Sequence, residues 1–445
     1  MNDYMKSKGC KVAFHNLGCK VNSYETEAML GQLLRAGYES APFEPGADVY
    51  VINTCTVTNI ADRKSRQMLH RARKMNPDAL VVAVGCYAQA NKESLAADEL
   101  IDLVIGNDRK GELAELIQAA MESRLQERLH VSDIGAERTF EELPAEGTEH
   151  TRAYLKVEDG CNQFCSYCLI PYVRGRVRSR VPEKVVEQAE RLVAQGYREI
   201  VLTGIHLSSY GLDFEGDAAD RGSYGEPLLD LIDRIAAIPK LERIRLGSLE
   251  PRIITERSAE RLAACSKLCP HFHLSLQSGS DSVLRRMNRK YDTRTYYEKC
   301  RLLRRYFDNP DITTDVIVGF PGETQEEFEQ TKAFLEEIRL YETHVFRYSR
   351  RKGTAADRMP GQLPEAVKAQ RSEALIALGE KNRRDFEQSY IGKEVEVLLE
   401  EAVSTQAGER MAGHTREYIR LLLDLSSGAS GDICRVKVTQ DMLGM

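Results

Sequence analysis

The sequence predicts an α/β protein in three parts: an N-terminal parallel α/β sheet domain, a central incomplete (β/α)6 TIM-like barrel, and a small C-terminal all-β barrel. Three observations carry that reading. Apolar runs alternate with amphipathic helix patterns from residue 10 to about 130, and again over 151–388. The alternation breaks in an acidic stretch, 135–150, that holds Gly and Pro but little apolar pattern. Beyond 389 it gives way to short β-rich runs divided by Gly and Ser. A chain of 445 residues, at about 150 per domain, has room for three such parts. With 42% hydrophobic and 29% charged residues it is not a disordered or collagen-like chain.

The first domain is placed at 9–134. CKVAFHNL reads as a strand. Asn22 and Glu25 have the N-x-x-E spacing of a capping box, opening a helix over TEAMLGQLLRAGY. DVYVIN is an apolar strand ending at Asn53, residues 58–75 a basic helix, and ALVVAVG and IDLVIG two more strands with a helix between them. Such alternation implies a parallel sheet, whose ligands bind beyond the carboxyl ends of the strands. Residues 135–150 read as a linker.

The second domain, 151–388, offers six strands: 153–158, 199–204, 243–247, 271–276, 312–319 and 343–349. Helical patterns separate them, as in PEKVVEQAERLVAQGY, where Pro182 suits a first helical turn. Six units fit an incomplete barrel better than the full eight. A long helix is expected over 364–388, and the runs EVEVLLEEAV, EYIRLLLDL and DICRVKVTQ mark the β-rich tail, 389–445. No apolar run approaches the roughly 18 residues of a membrane span, and the N-terminus lacks a signal-type apolar core. No membrane association, a cytoplasmic location and a monomer are expected.

The net charge of −6 argues against a polyanion partner, but charge is clustered. From Arg285 to Arg305 there are nine basic and two acidic residues, and from Asp62 to Lys74 six and one. Arg174, Arg176, Arg178 and Arg180 alternate within seven residues. A basic helix is often only a solvated face, yet three such stretches in an acidic chain point to a polyanion.

The eleven cysteines are the sharpest feature. In DGCNQFCSYCLIP, Cys161, Cys165 and Cys168 have C-x3-C-x2-C spacing directly after the first barrel strand. Three thiolates on one loop suit three corners of an iron–sulfur cube, leaving the fourth iron open. No fourth cysteine follows before Cys265, and Leu169 excludes the C-x-x-C-H of a c-type haem. A structural zinc site with a distant fourth ligand is the competing reading. Cys19, Cys55 and Cys86 share no local motif. Each follows a predicted parallel strand, so the three either converge on one sheet edge or merely pack beneath loops. Cys10, Cys265, Cys269, Cys300 and Cys434 read as small core or half-buried residues, Cys265 and Cys269 having the spacing of one helical face.

CNQFCSYC resembles the C-x3-C-x-aromatic-C signature of radical S-adenosylmethionine (SAM) enzymes. The resemblance implies that Cys161, Cys165 and Cys168 hold a [4Fe–4S] cluster. Its open iron chelates SAM, and the reduced cluster cleaves the cofactor to a 5′-deoxyadenosyl radical. It also marks Tyr167, Thr203, Gly204, Gln277, Ser278, Val318 and Gly319 as cofactor contacts, at the motif aromatic and at strand ends. A tight turn is the plainer reading of each glycine.

LGCKVNSYETE, INTCTVTNIADRKSRQ and VGCYAQ resemble the three blocks of an N-terminal methylthiotransferase domain. There Cys19, Cys55 and Cys86 would carry a second, auxiliary [4Fe–4S] cluster, and the tail would be a TRAM domain. GCKVNSYETE is closest to the branch that modifies threonylcarbamoyladenosine in tRNA. The implied reaction adds a methylthio group to carbon 2 of N6-threonylcarbamoyladenosine at adenosine 37, next to the anticodon, with two SAM molecules used. The alternatives are isopentenyladenosine in tRNA, or a ribosomal protein. A flavodoxin- or ferredoxin-like electron donor is implied. Arg174, Arg176, Arg289 and Lys290 are expected to grip tRNA phosphates. The tail has six basic and nine acidic residues, so RNA contact there rests on Arg416, Arg420, Arg435 and Lys437. No general acid or base is assigned; Tyr348, Glu250 and Arg289 are polar candidates near strand ends.

Overall fold

The apolar runs of the first domain form one sheet of six parallel strands: β1 (Lys11–Asn16), β2 (Glu39–Ala41), β3 (Val49–Thr54), β4 (Leu80–Gly85), β5 (Leu103–Ile105) and β6 (Leu129–His130). The structure is a computed structural model that describes residues 9–444 except 125, 144, 146–150, 215–223 and 407. Part of the expected linker, 144 and 146–150, lies outside the described residues. The chain divides into two units. The first is Met1–Thr148, Glu158–Arg180 and Ser349–Asp357; the second is Glu149–Val157, Val181–Tyr348 and Arg358–Met445.

In the first unit the strand order is β2–β1–β3–β4–β5–β6. Every residue of β3 is buried, as in sheets with both faces covered. The order reverses between β1 and β3, which opens a crevice at their carboxyl ends. Helices α1 (Lys20–Arg35), α2 (Asn59–Met75) and α3 (Leu113–Met121) flank the sheet. The expected capping box is not formed. Helix α1 starts at Lys20, with Cys19 as a cap that makes no side-chain bond. The Asn22 amide instead donates to the carbonyls of Leu17 (2.7 Å) and Thr54 (3.2 Å), and Glu25 is buried in ion pairs.

In the second unit six parallel strands alternate with helices: β7 (Ala153–Lys156), α4 (Pro182–Ala194), β8 (Glu199–Thr203), α5 (Glu226–Ala236), β9 (Arg243–Leu246), α6 (Glu256–Ala264), β10 (His271–His273), α7 (Thr293–Tyr306), β11 (Asp311–Val318), α8 (Gln325–Ile338), β12 (Glu342–Arg347) and α9 (Glu365–Gln388). The ladders run β9–β8–β7 and β10–β11–β12, and a parallel bridge from Leu249 to Leu274 links the two sets. Period-two alternation divides the faces. Leu155, Ile200, Leu202, Ile244, Phe272, Ile312 and Val316 enter the apolar core beneath the helices. The residues between them line the barrel interior, which is charged. Glu199 pairs with Arg245 at 2.7 Å, and His271 with Asp311 at 2.6 Å.

The tail forms β13 (Glu394–Thr405), β14 (Gly408–Thr415), β15 (Arg420–Leu423) and β16 (Ile433–Lys437), an antiparallel half-barrel ordered β15–β14–β13–β16. GERMAGHT has no strand pattern of its own; eight pairs with β13 hold it as β14. This sheet caps the amino end of the barrel. The Arg243 guanidinium donates to the carbonyls of Glu396 and His414, and that of Arg245 to the Arg416 carbonyl. The Tyr418 ring lies beneath Arg152 and Arg245, at 4.9 and 4.7 Å. Among the described residues no helix is long and apolar enough to cross a membrane.

Candidate functional site

Cys19, Cys55 and Cys86 lie immediately beyond β1, β3 and β4, the strands that flank the reversal of order. Burial carries the Cys55 thiol up to about 11, and Cys86 and Cys19 add to that rise, so the three sulfurs lie within electrostatic reach of one another. Gly85 takes a φ of +98°, and a Cβ there would lie 2.5 Å from Asn53 Oδ1, so only glycine delivers Cys86 to this edge.

Behind the trio is a sealed charge network. The Arg174 side chain is fully buried. Its Nη1 donates to Glu25 Oε1 at 2.6 Å, its Nη2 to Asn22 Oδ1 at 2.7 Å, and Asp159 Oδ2 is 3.2 Å from Nη1. Its Nε donates to Cys86 Sγ at 3.2 Å. Burial opposes the guanidinium charge, but Cys86, Glu25 and Asp159 more than offset it and hold Arg174 protonated. Lys110 Nζ reaches Glu25 Oε2 at 2.7 Å and Asn107 Oδ1 at 2.8 Å, while the Asn107 amide lies 3.6 Å from Cys86 Sγ. Sequence reading missed Asn107 and Lys110, which carry no motif, and took Glu25 for a helix cap where it is a buried ion-pair partner.

The second trio is on the same unit. Cys161, Cys165 and Cys168 follow each other round a tight loop, where the Cys168 amide donates to the Cys165 carbonyl (3.0 Å) and the Ile170 amide lies 3.4 Å from Cys168 Sγ. Gly160 has φ +82°, and a Cβ would lie 1.9 Å from the Arg176 carbonyl oxygen; the loop closes only over glycine. Burial drives the Cys161 thiol well above its usual range, and Cys168 and Cys165 add to it. Tyr167 is half-buried between two of the cysteines. Each trio presents three thiols, one on the loops beyond neighbouring strands and one round a single loop, the donor set for three corners of an iron–sulfur cube.

In the second unit the expected cofactor positions stand at carboxyl ends of barrel strands. Thr203 closes β8, followed by Gly204; Val318 and Gly319 close β11; Gln277 and Ser278 follow β10. Val318 and Ser278 are buried, so each offers mainly backbone. Gln277 has a left-handed backbone at φ +74°, uncommon for a non-glycine and held by hydrogen bonds to Asp315 O and from Ile317 N. His206 contacts Ser209 Oγ at 2.7 Å, and burial, with Arg289 and Arg252 nearby, lowers its imidazole to about 3. Glu250 is buried against Arg252 at 2.8 Å.

The basic residues divide. Arg174 is sealed from solvent, so the expected phosphate contact is not met there; its charge is used internally. Arg176 is exposed, its guanidinium 4.5 Å from the Phe164 ring centre. Arg289 is half-buried over Tyr291, and Lys290 is exposed. In the 285–305 run, Arg286, Arg294 and Arg305 are paired with Glu327, Glu298 and Glu256. On α2, Arg63, Lys64, Arg71 and Lys74 are exposed. A cleft of about 920 Å³ near that helix is lined by Asn59, Gln89, Asn91, Tyr172, Arg350 and Lys352, among others. Arg416 donates to the Ser266 and Leu268 carbonyls. Cys265 and Cys269 do not share a helical face, because α6 ends at Ala264. Cys10, Cys269 and Cys300 are buried and Cys265 and Cys434 half-buried.

Residues 155–335 match the radical SAM superfamily, and residues 11–106 match uncharacterized protein family UPF0004. Over 96% of its length the chain is 42% identical to a threonylcarbamoyladenosine tRNA methylthiotransferase, MtaB, of Bacillus subtilis, and covers 93% of it. It is 36% identical, over 86% of its length and 85% of the relative's, to a tRNA-2-methylthio-N(6)-dimethylallyladenosine synthase of Pelotomaculum thermopropionicum. Among solved structures it resembles the radical SAM methyltransferase TsrM of Kitasatospora setae. The TM-score is 0.58 and the identity 17%, over 78% of this chain and 77% of that one, a likeness of fold alone.

Two outcomes follow from the site. Arg174→Ala breaks a fully buried ion network and is expected to cost about 3–5 kcal/mol, read as a lower urea midpoint for the first unit; an unchanged midpoint would remove the network's structural role. His206 is depressed in the folded chain, so its contribution is present above about pH 6.5 and is lost as pH falls toward 3. His206→Leu should therefore narrow the drop in urea midpoint between pH 7.5 and pH 5.

Proposed function

The chain belongs to the radical SAM methylthiotransferase family, and from that premise we propose that it adds a methylthio group to carbon 2 of N6-threonylcarbamoyladenosine at position 37 of tRNA. The observation that carries this is the meeting of two cysteine trios in one unit, with Arg174, six residues beyond Cys168, touching Cys86. One trio alone suits a radical enzyme; two suit radical generation together with a sulfur source.

The radical SAM domain implies a [4Fe–4S] cluster and SAM, and we assign a second cluster to Cys19, Cys55 and Cys86. Bound there, these groups supply a carbon radical able to attack an unactivated aromatic C–H, and the sulfur to replace it. The chain's own residues do the rest. Arg174 and Asn107 direct N–H donors at Cys86 and fix the position of its sulfur. Gly160 and Gly85 set the two cysteine edges. His206 stays neutral at working pH.

The threonylcarbamoyl branch is favoured by GCKVNSYETE and by identity. Two relatives bearing that name, at 42% and 41% identity, stand above the dimethylallyladenosine relative at 36%. RNA contact is assigned to the exposed α2 residues Arg63, Lys64, Arg71 and Lys74, with Arg176 and Lys290. Tyr172, exposed at the polar cleft, offers a ring on which a splayed base can stack. A low-potential one-electron donor of flavodoxin or ferredoxin type completes the scheme, in the cytoplasm.

The test is mass spectrometry of tRNA nucleosides from cells lacking the gene. The methylthiolated threonylcarbamoyl nucleoside should vanish and its parent accumulate. The native chain should restore it, and Cys161→Ala or Cys55→Ala should not. Loss of the isopentenyl counterpart instead would overturn the substrate. In binding assays, Arg71→Ala with Lys74→Ala should reduce the slope of log K against log salt by roughly 1.4–1.8, at about 0.7–0.9 per phosphate; an unchanged slope would remove α2 from the RNA face.

A further inference from the structure

The charged side chains on the barrel strands fall into a sealed group and a group that solvent reaches. Toward the amino end, Glu199, Arg243 and Arg245 are 0–1% exposed and His271 and Asp311 at most 7%, all in mutual ion pairs. One step nearer the carboxyl ends stand His273, Asp315 and His344, from β10, β11 and β12, at 14%, 30% and 43% exposure. With Glu342, 41% exposed two residues before His344, they form a surface that solvent reaches along these three strands.

Their arrangement is graded. His273 Nδ1 meets Thr313 Oγ1 at 2.9 Å and its Nε2 meets Asp315 Oδ2 at 3.2 Å, so that ring is fixed at both nitrogens. His344 stacks on it, ring centres 5.8 Å apart and planes 24° from parallel. Val345 packs toward the helices, so alternation turns His344 inward. Among the described residues His344 makes no hydrogen bond, and its nearest carboxylate, Glu342, is 4.0 Å away. It is an imidazole held by that stacking, with its side chain 43% exposed.

We propose that His344, seated on the His273–Asp315 pair, forms a polar subsite for the substituent on N6 of the modified adenosine, selecting a hydrogen-bonding arm over a hydrocarbon one. The inference rests on the tRNA reading above. A threonylcarbamoyl arm carries a urea, a hydroxyl and a carboxylate, which an imidazole can meet as donor or acceptor. A dimethylallyl arm has no such group, and packed against that surface it would strip water from His344 and Asp315 without replacing it. Sites built to hydrogen-bond a substrate reject analogues that lack the partner far more strongly than apolar pockets reject a size change. The three side chains also have ligand atoms within 4.8 Å of one another, the span of a divalent-cation site. The His273–Asp315 hydrogen bond and the Thr313 contact close that pair on itself, which favours an organic ligand.

The experiment uses the full chain with both clusters reconstituted, and anticodon stem-loops carrying either threonylcarbamoyl- or dimethylallyladenosine at position 37. The native chain is expected to favour the first RNA in kcat/KM. His344→Leu should lose at least about tenfold on that RNA, mainly through KM, and narrow the discrimination, with iron and sulfide content unchanged. His344→Gln, which keeps a hydrogen-bonding edge, should recover much of the loss. If His344→Leu leaves both KM and discrimination as in the native chain, the subsite is overturned while the substrate reading stands. If the native chain prefers the dimethylallyl RNA, the substrate reading falls and takes the subsite with it. Stoichiometric binding of added Zn2+ that His344→Leu abolishes would make this a metal site and overturn the proposal.

Discussion

The buried guanidinium of Arg174 is the interaction on which the first unit depends. It belongs to the segment that carries Cys161, Cys165 and Cys168, yet its partners Glu25 and Asn22 come from α1 and its sulfur contact from Cys86 beyond β4. Glu25 and Asp159 face Arg174 and Lys110, two carboxylates against two cations, all nearly sealed from solvent. In such a setting each charge is tolerable only because the others are present. The segment Glu158–Arg180 is therefore pinned, and the second cysteine loop is held in fixed relation to the first trio. A looser tie would let the two trios drift independently of one another.

The other constraint is topological. A parallel sheet ordered β2–β1–β3–β4 must open where its order reverses, and the loops leaving β1 and β3 part at that point. Cys19 and Cys55 occupy those loops, and Cys86 the next one. This much was legible in the sequence, because a cysteine after each apolar run means a cysteine at the same edge. The reversal itself was not legible, since nothing in a strand's composition records its neighbour.

What the sequence concealed was the use of charge. Asn22 and Glu25 have capping-box spacing, but their side chains are drawn inward by Thr54, Lys110 and Arg174, contacts between residues 32 to 149 apart. Arg174 sits in a run of arginines that reads as a phosphate grip; only the fold shows that it is enclosed and that Arg176, two residues on, is exposed. The 285–305 run looks the most basic, yet salt bridges with Glu256, Glu298 and Glu327 engage three of its nine cations. Helix α2 is locally less basic but leaves five cations exposed, Arg63, Lys64, Arg66, Arg71 and Lys74. Strand β14 escaped because GERMAGHT is stabilised by its partner rather than by its own pattern.

The same logic explains a barrel interior that would be improbable from composition. Arg243, Arg245, Glu199, His271 and Asp311 face inward, where a packed barrel carries branched apolar residues. Charges there need partners, and the strands alone do not supply enough. The C-terminal sheet completes the set: the carbonyls of Glu396, His414 and Arg416 and the Tyr418 ring satisfy the two arginines from below. The acidic tail is thereby a floor. Its Arg416 is committed to the Ser266 and Leu268 carbonyls, which leaves the outward Arg420, Arg435 and Lys437 as the cations available to a polyanion. A polar floor closed in this way lets Arg243, Arg245 and Glu199 stand inside the barrel fully partnered and sealed from solvent.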